Sequence, residues 1–116
     1  MKKVTIWHNP RCSKSRETLA LLQTRDIQLE VLEYLAAPPT PAEIEAALEQ
    51  LGLAPRELMR ANEKEYHSSG ADDPKLSRTE LVKIMHTHPI LIQRPLVFAD
   101  GRARIGRPPQ AVLEIL

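Results

Sequence analysis

The sequence predicts an α/β fold: a four-stranded mixed sheet with helices packed on it, in the order β-α-β, helical insertion, β-β-α. Three observations predict it. Two strand-like runs, Val4-Thr5-Ile6-Trp7 and Leu29–Tyr34, flank a helical stretch near Cys12–Gln23. Apolar residues at helical spacing, each set preceded by a capping signal, occupy roughly residues 38–90. A second pair of short runs, Leu96–Ala99 and Ala103–Ile105, is separated by Asp100-Gly101, a strong two-residue hairpin signal.

The elements follow in chain order. Val4–Trp7 is β-branched and aromatic, and Asn9-Pro10-Arg11 breaks it before the first helix, whose inward stripe is expected from Leu19 and Leu22. Leu29, Val31 and Leu32 make the second strand, so residues 4–34 form one right-handed unit with parallel strands. Ala37-Pro38-Pro39-Thr40 is a loop. Thr40 with Glu43 forms a capping box, and Pro41 stands at the first helical position, which suits its missing N–H. Ile44, Ala47, Leu48 and Leu51 then repeat up to Gly52. Pro55 starts a short helix through Leu58-Met59-Arg60, and the polar residues 62–75 read as a loop or frayed helix. Ser77 and Glu80 form a second capping box, with Leu81, Ile84 and Met85 on one face, and His88-Pro89 ends that helix. Pro108 opens a last helix, with Val112, Leu113 and Ile115 available for burial. The outer parts match the thioredoxin-like plan, and the chain reads as one domain, 1–116, with a helical insertion at about 38–90.

Composition narrows the function classes. The chain has 116 residues, 42% hydrophobic and 27% charged, the balance of an ordinary globular domain. No apolar run approaches the ~20 residues of a membrane span, and the start lacks the apolar stretch of a signal peptide, so a cytoplasmic protein without a membrane partner is expected. Cys12 is the one cysteine, which excludes an intrachain disulfide and any multi-cysteine zinc or iron–sulfur site. His86-Thr87-His88 is read as a helix C-terminus rather than a metal site. Net charge is +1, but its distribution is uneven. Residues 1–16 carry Lys2, Lys3, Arg11, Lys14 and Arg16 and no acid, and residues 94–107 carry Arg94, Arg102, Arg104 and Arg107 against Asp100. If the two ends meet, they make a positive site around Cys12 suited to a small anion. Aromatics are only 3% of the chain and do not interleave with the bases, which argues against nucleic acid as a partner.

Cys12 stands where a strand ends and a helix begins. Helix-terminal amides, the helix dipole and the nearby Arg11, Lys14 and Arg16 all favour thiolate over thiol. The same amides can hold an oxyanion against the sulfur. This position weighs against Cys12 as a buried filler. A thioredoxin-type dithiol would need cysteine at 15, where Ser15 stands; a phosphatase-type loop would need arginine at 18, where Thr18 stands. The site is therefore monothiol and must take its second thiol from elsewhere.

The segment His8-Asn9-Pro10-Arg11-Cys12-Ser13-Lys14-Ser15-Arg16 resembles the active-site segment of the glutaredoxin-linked, ArsC-type arsenate reductases. The resemblance continues through Arg60 in Arg56–Arg60, Arg94 in His88–Pro95 and Arg107 in Ile105–Pro109, and it covers essentially the whole chain. The Ser13-Lys14-Ser15 turn is closer to a chromosomal ArsC-like subgroup than to the plasmid-type reductases. The resemblance implies a thioredoxin-like fold and chemistry on arsenate. Cys12 would be the nucleophile, His8 would help poise it, and Arg60, Arg94 and Arg107 would hold the oxyanion. Pro95 matches the proline beside the active site that is cis in such folds. No bound cofactor or metal is expected. Glutathione is expected as co-substrate and glutaredoxin as partner: the Cys12 thiolate attacks As(V), glutathione attacks the adduct, and glutaredoxin attacks the glutathione sulfur. Two other readings compete, a Spx-like regulator that binds RNA polymerase and an orphan glutathione-dependent thiol oxidoreductase. Ser15 removes the two-cysteine switch of many such regulators.

Overall fold

The computed structural model describes residues 1–116. The chain forms two compact units, Met1–Ala37 with Arg94–Leu116 and, inserted between them in sequence, Pro38–Gln93. The first unit holds the whole sheet. Strands β1 (Lys2–Trp7), β2 (Ile27–Leu32), β3 (Leu96–Ala99) and β4 (Arg102–Ile105) lie in the order β2-β1-β3-β4. β1 and β2 are parallel and joined by helix α1 (Ser13–Gln23), and the other pairings are antiparallel. The ladder places Val4 beside Ala99 and Ile6 beside Val97. Alternation then puts these four on one face, where Leu22, Val112 and Ile115 complete a buried core. Trp7 and Phe98 fall on the opposite face with their rings 5.0 Å apart.

β2 begins two residues before the run Leu29–Tyr34 suggested and ends two residues before it. The hairpin joining β3 to β4 turns on Asp100 and Gly101, both at positive φ (52° and 72°), the conformation that a two-residue turn matched to strand twist demands. The inward stripe of α1 differs from expectation. Leu22 is buried and Leu19 only partly, while Ser15 and Thr18 complete the buried face at the end nearest Cys12.

The closing segment is a 3₁₀-helix, Pro109–Ile115, rather than an α-helix opened by Pro108. Its buried residues are Pro109, Val112 and Ile115, a spacing of three that matches the three residues per turn of this helix. An α-helix would carry position 115 off that face.

In the inserted unit, α2 (Pro41–Leu51) and α5 (Arg78–Thr87) both start with complete capping boxes, from Thr40 with Glu43 and Ser77 with Glu80. Gly52 ends α2 in the left-handed conformation. Between them lie α3 (Pro55–Leu58), which stops short of Arg60, and α4 (Lys64–Ser68) within the stretch that reads as loop or frayed helix. Arg56 closes this region by donating to the Tyr66 hydroxyl and to the carbonyls of Ala71 and Asp73. That network satisfies the backbone of residues too polar to form a long helix. His86 hydrogen-bonds the Pro39 carbonyl through Nδ1 at 2.8 Å. No helix is long and apolar enough to cross a membrane.

The period-three burial is testable by equilibrium denaturation. Ile115→Ala should cost about 2–5 kcal/mol as a buried truncation, and Leu113→Ala under about 1 kcal/mol. Equal losses would contradict the 3₁₀ assignment.

Candidate active site

The site is built on the turn between β1 and α1. Pro10 sits second in a four-residue turn closed by the Cys12 N–H donating to the Asn9 carbonyl at 3.0 Å. The Asn9 side chain accepts from the Arg11 N–H at 3.0 Å, so the loop is held at both its backbone and its side chain. Cys12 is the residue flanking the start of α1, in extended conformation (φ −96°, ψ 124°). Its own carbonyl already accepts the first helical bond, from Arg16 N–H at 3.0 Å. The amides of the first turn thus face the sulfur.

Cys12 is buried, with 8% of its surface exposed, against the expectation that its turn position would leave it open. Even so, several polar groups reach its sulfur. Burial is the strongest single influence on its ionisation and pushes the thiol up. The backbone N–H of Ser15, the charge of Arg94, the N–H of Lys14 and a hydrogen bond from Arg94 together outweigh it. The Cys12 thiol therefore ionises below its ordinary value. Arg107 adds a contact of its own, Nη2 to Sγ at 3.5 Å.

Arg94 and Arg107 are brought there by the segments flanking β3 and β4. Arg94 precedes Pro95 through a cis peptide bond, as does Arg107 before Pro108. The Arg107 Nε donates to the Arg94 carbonyl at 2.8 Å, which ties the two arginine-bearing segments together. The Nε and Nη1 of Arg94 are buried and have no hydrogen-bond partner within the protein. Buried donors without an acceptor are costly in a folded chain, more so when charged. Two such donors on a guanidinium beside a depressed thiol leave hydrogen-bonding capacity that the oxygens of an anion can take up.

His8 ends β1 and is 6% exposed. Its Nδ1 pairs with the Ser15 hydroxyl at 2.7 Å, and that hydroxyl also accepts from the Asn9 N–H at 2.9 Å. Burial is the main cause holding the His8 imidazole below its ordinary value; Glu33 opposes that and Arg16 adds to it. His8 is thus neutral at neutral pH, and it reaches Cys12 through Ser15, whose N–H faces the sulfur.

Cys12, His8, Arg94 and Arg107 are brought together in the sheet-bearing unit. Arg60 belongs to the inserted unit, follows α3 rather than lying within it, and is ion-paired with Glu63. Arg102 is exposed, and Arg104 pairs with Glu114 at 3.0 Å. Sequence reasoning treated Ser15 only as the place of a missing cysteine. The signal that could have found it is its spacing of three and seven from Thr18 and Leu22, which puts it on the buried face of α1.

With this geometry in view, comparison with other proteins is informative. The ArsC family profile matches residues 7–115. The chain belongs to the ArsC family. It is 48% identical over 99% of its length to an uncharacterised Escherichia coli protein, YfgD, covering 98% of that chain. It is 42% identical to a Neisseria meningitidis protein named arsenate reductase, over the full length of both. A solved structure called arsenate reductase from Vibrio cholerae superposes with a TM-score of 0.95 at 47% identity, covering 99% of this chain and 98% of that one. The thioredoxin-like fold is that of its structural neighbours.

The role of Arg94 is checked by alkylation of Cys12 with iodoacetamide across pH. Because the arginine favours the thiolate, Arg94→Ala should raise the midpoint of the rate profile and slow the reaction at neutral pH. An unchanged midpoint would remove Arg94 from the ionisation of Cys12.

Proposed function

We propose that this protein reduces arsenate to arsenite, with Cys12 as nucleophile and with glutathione and glutaredoxin as the source of electrons. The observation that carries the reading is the half-buried Arg94 guanidinium, set against the Cys12 sulfur with its buried Nε and Nη1 lacking any acceptor in the protein. Family membership and relatives named arsenate reductase support it.

Arsenate resembles phosphate, with between one and two negative charges near neutral pH. A thiolate approaches such an anion only when the charge is compensated. Arg94 supplies a cation with two desolvated N–H-bearing nitrogens for that purpose, Arg107 a second cation at the sulfur, and the amides of Lys14 and Ser15 further donors. In the first step an S–As bond forms at Cys12, an As–O bond breaks, and the oxygen leaves as water after taking a proton. A glutathione thiol then replaces a second oxygen on arsenic, again releasing water. A glutaredoxin thiolate attacks the glutathione sulfur, and the S–As electron pair stays with arsenic, taking As(V) to As(III). The two external thiols leave as one disulfide, and they carry the two electrons. Water releases arsenite and returns Cys12 to thiolate. Cys12 is the one cysteine of the chain, so both reducing thiols come from outside. His8 stays neutral and orients the Ser15 turn without adding a charge. The family resemblance gives Arg60 a share in holding the oxyanion, and Arg60→Ala tests that share separately.

NADPH oxidation coupled through glutathione reductase, glutathione and glutaredoxin should depend on arsenate. It should vanish in Cys12→Ser, while calorimetry still detects anion binding by that variant. Arg94→Lys and Arg107→Lys should lose roughly 10- to 100-fold, because charge-assisted hydrogen bonds are worth about 1.5–3 kcal/mol and a point charge does not replace a fork. Turnover by Cys12→Ser, or oxidation equally fast without arsenate, would contradict the proposal.

A further inference from the structure

Gly106 follows the last residue of β4 and precedes Arg107. Its backbone is not in the left-handed region, which Gly52, Gly70 and Gly101 occupy, so its conformation is open to other residues. Space is what it lacks. A Cβ at position 106 would lie 2.6 Å from the Thr18 Oγ1, 3.1 Å from the Thr18 Cγ2 and 2.7 Å from the Pro95 Cγ. Thr18 is fully buried on the face of α1 that also carries Ser15, and its hydroxyl is anchored by donating to the Lys14 carbonyl at 2.8 Å. Pro95 is buried and directly follows Arg94. The Gly106 N–H donates to the Pro95 carbonyl at 2.9 Å, and the Gly106 carbonyl lies 3.5 Å from the Thr18 hydroxyl.

Three parts of the site meet at this one residue. The helix behind Cys12, the segment carrying Arg94 and the segment carrying Arg107 all touch Gly106 or its immediate neighbour. We propose that Gly106 is a positioning residue of the site: the missing side chain lets α1 close on both arginine-bearing segments and so sets the 3.5 Å contact between Arg107 and the Cys12 sulfur. An added methyl must displace Thr18 with α1, Pro95 with the segment carrying Arg94, or the end of β4. The first moves the amides of Lys14 and Ser15 together with Cys12, the second moves Arg94, and the third moves Arg107. Each change weakens donors to the sulfur. The inference rests on the reading of Cys12 as the reactive thiol.

The test compares the protein with Gly106→Ala, Thr18→Ala and the double variant, by circular dichroism and by the pH dependence of Cys12 alkylation. Gly106→Ala should keep the wild-type spectrum but alkylate about tenfold more slowly at pH 7, equivalent to a midpoint about one unit higher. The double variant, which removes the Thr18 atoms nearest the new methyl, should recover at least half of that loss on a logarithmic scale. A merely structural role would change stability without moving the midpoint. A folded Gly106→Ala with the wild-type profile overturns the inference, as does a double variant no better than the single one. If Gly106→Ala does not fold, a double variant that folds and titrates near wild type supports the steric cause, and one that stays unfolded overturns it. A wild-type thiol that itself titrates like free cysteine contradicts the reading of the site and removes this inference with it. A lowered wild-type midpoint unchanged by Gly106→Ala overturns this inference alone.

Discussion

A negative charge on one buried sulfur is the constraint around which the sheet-bearing unit is arranged. Burial alone would keep Cys12 protonated, and burial is the largest influence on it. The fold answers with donors rather than with solvent. Two amides come from the first turn of α1, and a guanidinium comes from Arg94, two residues before β3. These groups lie 82 residues apart in the chain at their extremes, Cys12 to Arg94, and β1 pairing with β3 brings them to one end of the sheet. A low dielectric makes each donor count for more than it would in water. The same burial leaves the remaining Arg94 nitrogens without an acceptor, so the device that ionises the sulfur also creates the demand for an anion.

Around this charged centre lies a shell of neutral polar contacts. Ser15 is fully buried, and its hydroxyl serves both His8 and the Asn9 N–H. With the imidazole neutral, one proton lies in the hydrogen bond between ring and hydroxyl, and the turn is fixed without a cation that would repel Arg16 or compete for the ligand. Thr18 continues the same face and bonds back to its own helix. Polar residues at the active end and Leu22 at the other make α1 a graded element, with recognition at its start and core packing at its end.

Much of this was legible from residues. Alternation and turn chemistry located β1, β3 and β4, because Asp100-Gly101 demands a conformation few other pairs adopt. Both capping boxes read correctly because they are local reciprocal hydrogen bonds within four residues. The 3₁₀ form of Pro109–Ile115 was not legible, since Val112, Leu113 and Ile115 suit either helix and only packing selects the period. α4 is ambiguous for a related reason: Lys64–Ser68 has no buried residue and hence no periodic signal, so the stretch reads as loop or frayed helix alike. At the site, the strand-to-helix turn announced Cys12, but its burial did not follow, because the atoms that cover it come from elsewhere in the chain. The packing roles of Ser15, Thr18 and Gly106 are hidden for the same reason. Their importance lies in what they touch, and a small residue shows little of that in sequence.

The most direct test of the central claim is an ultraviolet titration of thiolate absorbance in the intact protein, with Cys12→Ser as the blank. The account predicts a midpoint below the ~8.5 of a free cysteine, so that a larger share of the sulfur is ionised at neutral pH than in a free thiol. A midpoint at or above that value would mean that burial prevails over the amides and guanidinium groups, and the account would fail.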